Sequence, residues 1–416
     1  MSEPTAPHDA FAALRYANFR NLAGGTFLIT CALQMQRVAL GYTLYVLTRD
    51  PLSLGLLGLA EAVPFMSIAL FGGHLADRRS KQKMMQFAGL IFMIGSAGLL
   101  TVSLPGLRPG IPDSVYVAMI YGVVFVEGLA RAFYSPAGTS LRPFLIPREH
   151  YGNSATWNST AWQSGAIIGP ALGGFALAAL EVHGTLMLVL LLIATNILLI
   201  GRIRMPAAAL QIPPPQKIWQ SLSEGFAYVW RTPIILYSIS LDMFSVLFGG
   251  VIAILPVFAE DILMAGPEGL GILRAAPAVG ATGTMLLCAW LPPTYHAWRN
   301  LLLAVAGFGV ATLVFALSTN LWLSALALAA SGGFDSVSVI IRGTILQTMT
   351  ADHMRGRVAS VNSIFLSASN ELGAVESGVA AKLLGTVPSV VFGALATFAT
   401  GGYVWSRSRK LFSIRL

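Results

Sequence analysis

The chain has 416 residues, of which 55% are hydrophobic and only 11% are charged. Soluble globular chains carry about 25% charged residues, so this composition excludes an ordinary soluble domain. The formal net charge of +8 does not indicate nucleic acid, because the basic residues sit between apolar runs and not on one face or in one tail.

The chain opens polar, from Ser2 to Arg20, and an apolar run of some 30 residues follows. The apolar core of a signal peptide is shorter, about 7–15 residues, so no cleavable signal is expected. A membrane-crossing helix needs roughly 20 consecutive apolar residues. Such runs predict helices at 19–48, 53–76, 84–103, 114–135, 155–180, 184–203, 233–258, 267–290, 299–317, 321–343, 356–381 and 386–406. Only helices and closed barrels satisfy the backbone in lipid, and these runs are too long for barrel strands. The expected fold is an all-α membrane protein of twelve helices.

With both termini placed in the cytoplasm, the inner segments hold Arg78, Arg79, Lys81, Lys83, Arg142, Arg148, Arg355, Arg357 and most of the other basic residues. The outer loops then hold only Arg49 and Arg108. This asymmetry is what the positive-inside rule requires. Between the sixth and seventh helices, Pro213, Pro214 and Pro215 favour an extended spacer. After it, Ile218, Leu222, Phe226, Val229 and Trp230 share one helical face, which predicts an interfacial helix lying on the membrane.

An internal repeat divides the chain. Gly152, Ala155, Asn158 and Ser159 recur as Gly356, Ala359, Asn362 and Ser363, and Gly169 and Gly174 recur as Gly373 and Gly378, all 204 residues later. Each copy follows a basic inner loop and opens a helix, the fifth and the eleventh. Residues 1–205 and 233–416 are thus expected to be six-helix halves joined by a 206–232 cytoplasmic linker.

Cys31 and Cys288 lie inside apolar runs and read as small buried hydrophobes. The six histidines show no metal-ligand spacing, and no nucleophile–base pair is visible. Neither an enzyme, a metal nor a cofactor is expected.

Residues 73–83 read Gly-His-Leu-Ala-Asp-Arg-Arg-Ser-Lys-Gln-Lys. They resemble the loop signature of the major facilitator superfamily, with Ser80 and Lys81 departing from its glycine and arginine. The resemblance implies parallel six-helix halves and a cytoplasmic gate of Gly73, Asp77 and Arg78, with Asp77 facing the positive end of the eleventh helix near Gly356. In the fifth helix Gly165, Gly169 and Gly173 recur every four residues beside Pro170 and Gly174. Their spacing gives one smooth face for close helix contact, and Pro170 removes a backbone hydrogen bond and predicts a kink. The run resembles the motif of major facilitator antiporters, which mostly export. The alternative reading is a packing face without directional meaning.

Further segments resemble the bacterial efflux branch that includes the enterobactin exporter and macrolide-efflux proteins. They are Leu241–Gly250, Leu273–Gly280, Asp335–Arg342, Met354–Val358, Ser369–Gly373 and Glu376–Gly378. In that fold the first, fourth, seventh and tenth helices line the transport cavity. They carry Arg37, then Glu127 and Arg131, then Asp242, then Asp335. Charges within lipid are costly and mark pathways or pairs. Glu127 and Arg131 stand four apart and can pair within their helix. Gln34, Arg37 and Tyr45 fall near one face. Glu61, Glu371 and Glu376 read as supporting or gate residues, and Arg274, Arg342 and Lys382 as cations snorkelling from helix ends.

These readings lead to a secondary active transporter working by alternating access. The expected function is proton-coupled export of a small organic molecule such as a drug or siderophore, by a monomer in the bacterial inner membrane. Glu127, Asp242 and Asp335 are the candidate proton carriers, and Arg37 and Arg131 the candidates to hold an anionic or catecholate-like substrate. Proton-coupled nutrient import and lysophospholipid translocation remain the alternatives.

Overall fold

The computed structural model describes residues 9–78, 80–204, 218–293, 295–351 and 354–408, and only the backbone of 69–78, 218–221 and 367. All regular structure among them is helical. The helices are α1 (Ala17–Thr48), α2 (Pro51–Arg78), α3 (Lys81–Ser103), α4 (Asp113–Leu141), α5 (Tyr151–Gly201), α6 (Ile218–Arg231), α7 (Pro233–Gly249), α8 (Leu255–Val257), α9 (Gly266–Trp290), α10 (Ala297–Leu317), α11 (Leu321–Thr348), α12 (Arg355–Leu384) and α13 (Thr386–Arg407).

The expected fifth and sixth helices form one element, α5, which breaks at Glu181 with a φ of 58°. A non-glycine residue at positive φ cannot continue a right-handed helix. Pro170 lies inside α5 without non-helical dihedrals. The expected seventh helix is interrupted: α7 stops at Gly249, and a 3-10 turn, α8 and a π-helical turn (Phe258–Ile262) complete the span. Among the described residues nine helical stretches are long and apolar enough to cross a membrane. The long stretch containing α5 holds two expected spans. α1 and α12, the most polar of the expected spans, fall outside the nine.

The chain forms two compact units. One takes in residues 1–40 and 60–214, the other 41–59 and 215–416. The division therefore departs from the expected halves at 41–59, the end of α1 and the start of α2.

Within the first unit, α5 lies against α1. A Cβ on Gly165 would stand 2.9 Å from the Phe27 carbonyl oxygen, on Gly169 2.8 Å from that of Cys31, and on Gly173 2.8 Å from the Met35 Cα. The glycine period is thus the period of close contact with α1. In the second unit the equivalent pair is α12 on α7: a Cβ on Gly373 would stand 3.0 Å from the Val246 carbonyl oxygen. The two units repeat one packing, as their sequence repeat implies.

The segment before each six-helix run is fastened to the same place. Asn153 Nδ2 and Trp157 Nε1 donate to the Ala10 carbonyl at 2.7 and 2.9 Å, and Asn153 Oδ1 accepts from Ala13 N at 3.0 Å. In the second unit α6 docks on the start of α12, with Arg357 paired to Glu224 at 2.6 Å and the Phe226 and Phe365 rings 5.7 Å apart. Leu222 and Val229 are buried and Trp230 is exposed. The apolar face of α6 is thus divided: part of it packs into its own unit, where a helix merely lying on the membrane was expected.

Candidate functional site

In the first unit the residues expected to line the cavity assemble around α2. Gly128 on α4 touches the backbone of Glu61 and the ring of Pro64 on α2. That contact brings Glu61 beside Arg131, one turn further along α4. Glu61 Oε1 accepts from Arg131 Nη1 at 2.7 Å and also from Arg37 Nη2. One carboxylate therefore bridges the guanidiniums of α1 and α4. Gln34 Oε1 accepts from Arg37 Nη1 at 3.1 Å, and the Arg131 guanidinium lies 5.0 Å from the centre of the Phe65 ring.

Glu127 does not form the pair with Arg131 that their spacing allows. Both its oxygens accept from Gln36 Nε2, at 2.8 and 3.0 Å, and Gln36 Oε1 accepts from Ser96 Oγ at 2.7 Å. Gln36 is 2% exposed and Ser96 fully buried, so this network is fixed by packing among α1, α3 and α4.

The second unit holds the other two carboxylates. Asp242 on α7 pairs with Arg342 on α11 at 2.7 Å, with their side chains 7% and 6% exposed. Arg342 Nε also donates to Ser338 Oγ at 3.2 Å. Arg342 is accordingly a buried counter-ion and not a snorkelling cation. Asp335 shares a small cavity with Asp242, Ser245 and Ser338. It has room of about 10 Å³, enough for about one water. Among the described residues Asp335 has no ion-pair or hydrogen-bond partner, and the buried Ser245 Oγ has none either. Lys382, also read as snorkelling, pairs with Asp50 at 2.6 Å.

A further cluster was not anticipated. The π-helical turn presents Glu260 and Asp261, which accept from the phenols of Tyr42 and Tyr45. Arg49 Nη1 reaches Asp261 at 3.0 Å and Nη2 reaches Glu260 at 3.3 Å. By sequence Arg49 is only one of two basic residues of the outer loops. The adjacent acids at 260 and 261 were the available signal for its partners. Lys382 holds Asp50 in the same stretch, and its ammonium keeps the Asp50 carboxyl below the usual carboxylate range.

Of the residues expected at the inner gate, Gly73, Asp77 and Arg78 are described by backbone alone, within α2. Gly356 opens α12 and has open space where a Cβ would stand.

Known proteins with related sequences and folds agree with this architecture. The chain is 26% identical over 402 residues to the enterobactin exporter EntS of Shigella boydii serotype 18, covering 95% of this chain and 89% of that protein. The identity to the enterobactin exporter EntS of Escherichia coli O1:K1 / APEC is also 26%, over the same shares. The crystal structure of a D-xylose-proton symporter superposes with a TM-score of 0.74 at 14% identity, covering 98% of this chain and all of that one. That of a bacterial homologue of the iron transporter ferroportin gives 0.70 at 15% identity, covering 96% and 99%. Residues 22–375 match the Major Facilitator Superfamily. With that match spanning most of a helical, multi-pass chain, the protein belongs to the Major Facilitator Superfamily of transporters.

Proposed function

We propose that this protein exports a small organic molecule of the siderophore or drug type from a bacterial cytoplasm, in exchange for protons, by alternating access. One observation supports the coupling: of the two acidic side chains that line the small cavity of the second unit, Asp242 is ion-paired to Arg342, whereas Asp335 forms no ion pair among the described residues. Asp335 is the one that can take up and release a proton without breaking an ion pair. Burial makes an unpaired ionised carboxylate costly, so such a group persists where it has work to do. The two arginines of the first unit hold the substrate in this reading, and Glu127 is the second proton group.

The direction is supported by the similarity to enterobactin exporters over nearly the whole chain. It is supported also by the glycine–proline run Gly165–Gly174, although the structure gives those glycines a sufficient packing reason in α1.

The test is transport in inverted membrane vesicles with an imposed proton gradient, screened over catecholate siderophores and drugs, beside a susceptibility screen of cells with and without the protein. Gradient-driven accumulation inside inverted vesicles is the expected result. Accumulation in right-side-out vesicles instead would make the protein an importer.

A further inference from the structure

We propose that Arg37 and Arg131 form a receptor for an acidic group of the substrate, and that Glu61 fills this receptor as an internal stand-in while no substrate is bound. The substrate class is then an aromatic carboxylic acid. The inference rests on the reading of the chain as a carrier of a small organic molecule, and it adds a role for a residue on a helix outside the expected cavity set.

The geometry is that of a shared anion site. A single oxygen, Glu61 Oε1, accepts from guanidiniums on two different helices. A carboxylate has about four acceptor positions, and both of these bonds fall on one of the two Glu61 oxygens. Arg37 and Arg131 keep 37% and 36% of their side-chain surface accessible, against 19% for Glu61. An incoming acid therefore meets the cations before it meets their partner.

Burial explains why a stand-in is needed. Two guanidiniums within a membrane-spanning unit are costly unless something anionic faces them. Breaking a buried pair outright leaves an uncompensated charge, whereas exchanging one carboxylate for another keeps the charge-assisted hydrogen bonds. A substrate acid that displaces Glu61 replaces like with like. Glu127 accepts from Gln36 with both oxygens and, among the described residues, forms no hydrogen bond to either arginine. Phe65 gives the site an aromatic wall beside the Arg131 guanidinium, suited to a flat ring attached to the acid.

Structural and receptor roles for Glu61 predict opposite signs. If Glu61 only supports the fold, removing its charge weakens everything. If it is a stand-in, removing its charge frees the receptor. The experiment measures binding to the purified full-length protein by calorimetry. The probes are dihydroxybenzoate and the neutral amide of the same ring, so that only the carboxylate differs. The stand-in role predicts that Glu61→Gln tightens dihydroxybenzoate by about tenfold, the scale of one charge-assisted bond no longer competed for. Arg131→Gln should weaken it by a similar factor. The amide should bind equally to all three proteins. Glu61→Asp, too short to bridge both arginines, should fall between wild type and Glu61→Gln, and it serves if the glutamine variant folds poorly.

Unchanged or weaker acid binding in folded Glu61→Gln overturns the proposal. So does a matching change for the amide. Failure of both wild type and Glu61→Gln to bind the acid overturns the receptor while leaving the transport reading intact, since the vesicle assay tests that reading separately.

Discussion

Asn153 and Arg357 stand at the same position of the two repeat copies, 204 residues apart, and each fastens the segment that leads into its six-helix run. The chemistry differs: an amide grips a backbone carbonyl in one unit, and a guanidinium grips Glu224 in the other. The place is the same, the first turn of the helix that carries the repeated Gly-x-x-Ala-x-x-Asn-Ser pattern. A segment tied there moves with its unit.

The Arg357–Glu224 pair is more than a third exposed on both sides, so its net worth is about 0.2–1 kcal/mol. Glu224→Arg should therefore cost little in melting temperature. It should increase proteolysis between α5 and α6, and adding Arg357→Glu should restore protection. Asn153→Ala should cost more, about 1 kcal/mol for each hydrogen bond lost. Limited proteolysis and thermal melting of the four proteins check this; equal protection in all of them would disconnect the pair from the docking of α6.

Coupling and structure should separate at Asp335 and Asp242. Asp335→Asn removes a carboxylate that forms no ion pair among the described residues, so folding and counterflow should survive while uphill accumulation is lost. Asp242→Asn takes the ion-pair partner from the buried Arg342, and breaking a buried pair costs about 3–5 kcal/mol, so this variant should express poorly. The double variant Asp242→Asn with Arg342→Gln should regain expression. Uphill transport by Asp335→Asn at the wild-type level would remove it from the proton cycle.

The topology predicted from charge asymmetry has a direct check. In a background without Cys31 and Cys288, single cysteines at Glu149 and Ser406 should resist an impermeant thiol reagent in intact cells. A cysteine at Pro109 should react. Both test sites are exposed helix or loop positions, so labelling of either from outside would refute cytoplasmic placement.

The pair of Asp50 and Lys382 gives a pH dependence of known sign. The ammonium lowers the Asp50 pKa in the packed arrangement, so the packed form binds fewer protons than one in which the two are apart. Its contribution is complete above the ordinary carboxylate range and is lost as pH falls through the lowered value. Spin labels on Leu56 and Leu383, both exposed, should report residues 41–59 loosening from the rest of the second unit only at acid pH. With Lys382→Gln the loosening should begin at higher pH. A variant with the wild-type profile would show that the ion pair does not contribute to holding this segment.

Much of this protein is legible along the chain because its determinants are local. A membrane span declares itself by apolar length, an inner loop by its basic residues, and a close helix contact by glycine every four residues. Gly165, Gly169 and Gly173 meet α1 at the expected period, and α5 and α12 open 204 residues apart, at Tyr151 and Arg355. The repeat could be read because each unit reuses the same packing.

The partners of the charges are decided only by tertiary structure. Arg131 lies four residues from Glu127, yet pairs with Glu61 on α2, because Gly128 lets α2 approach while Gln36 draws Glu127 towards α1. Arg342 read as a helix-end cation, and its burial against Asp242 depends on how α7 and α11 meet. Residues 41–59 belong by sequence to the first half and by contact to the second unit, where Glu260, Asp261 and Lys382 hold them. Apolar spans follow from the composition of one segment, but an ion pair needs two segments at one point in space, and only the packing of helices specifies that point.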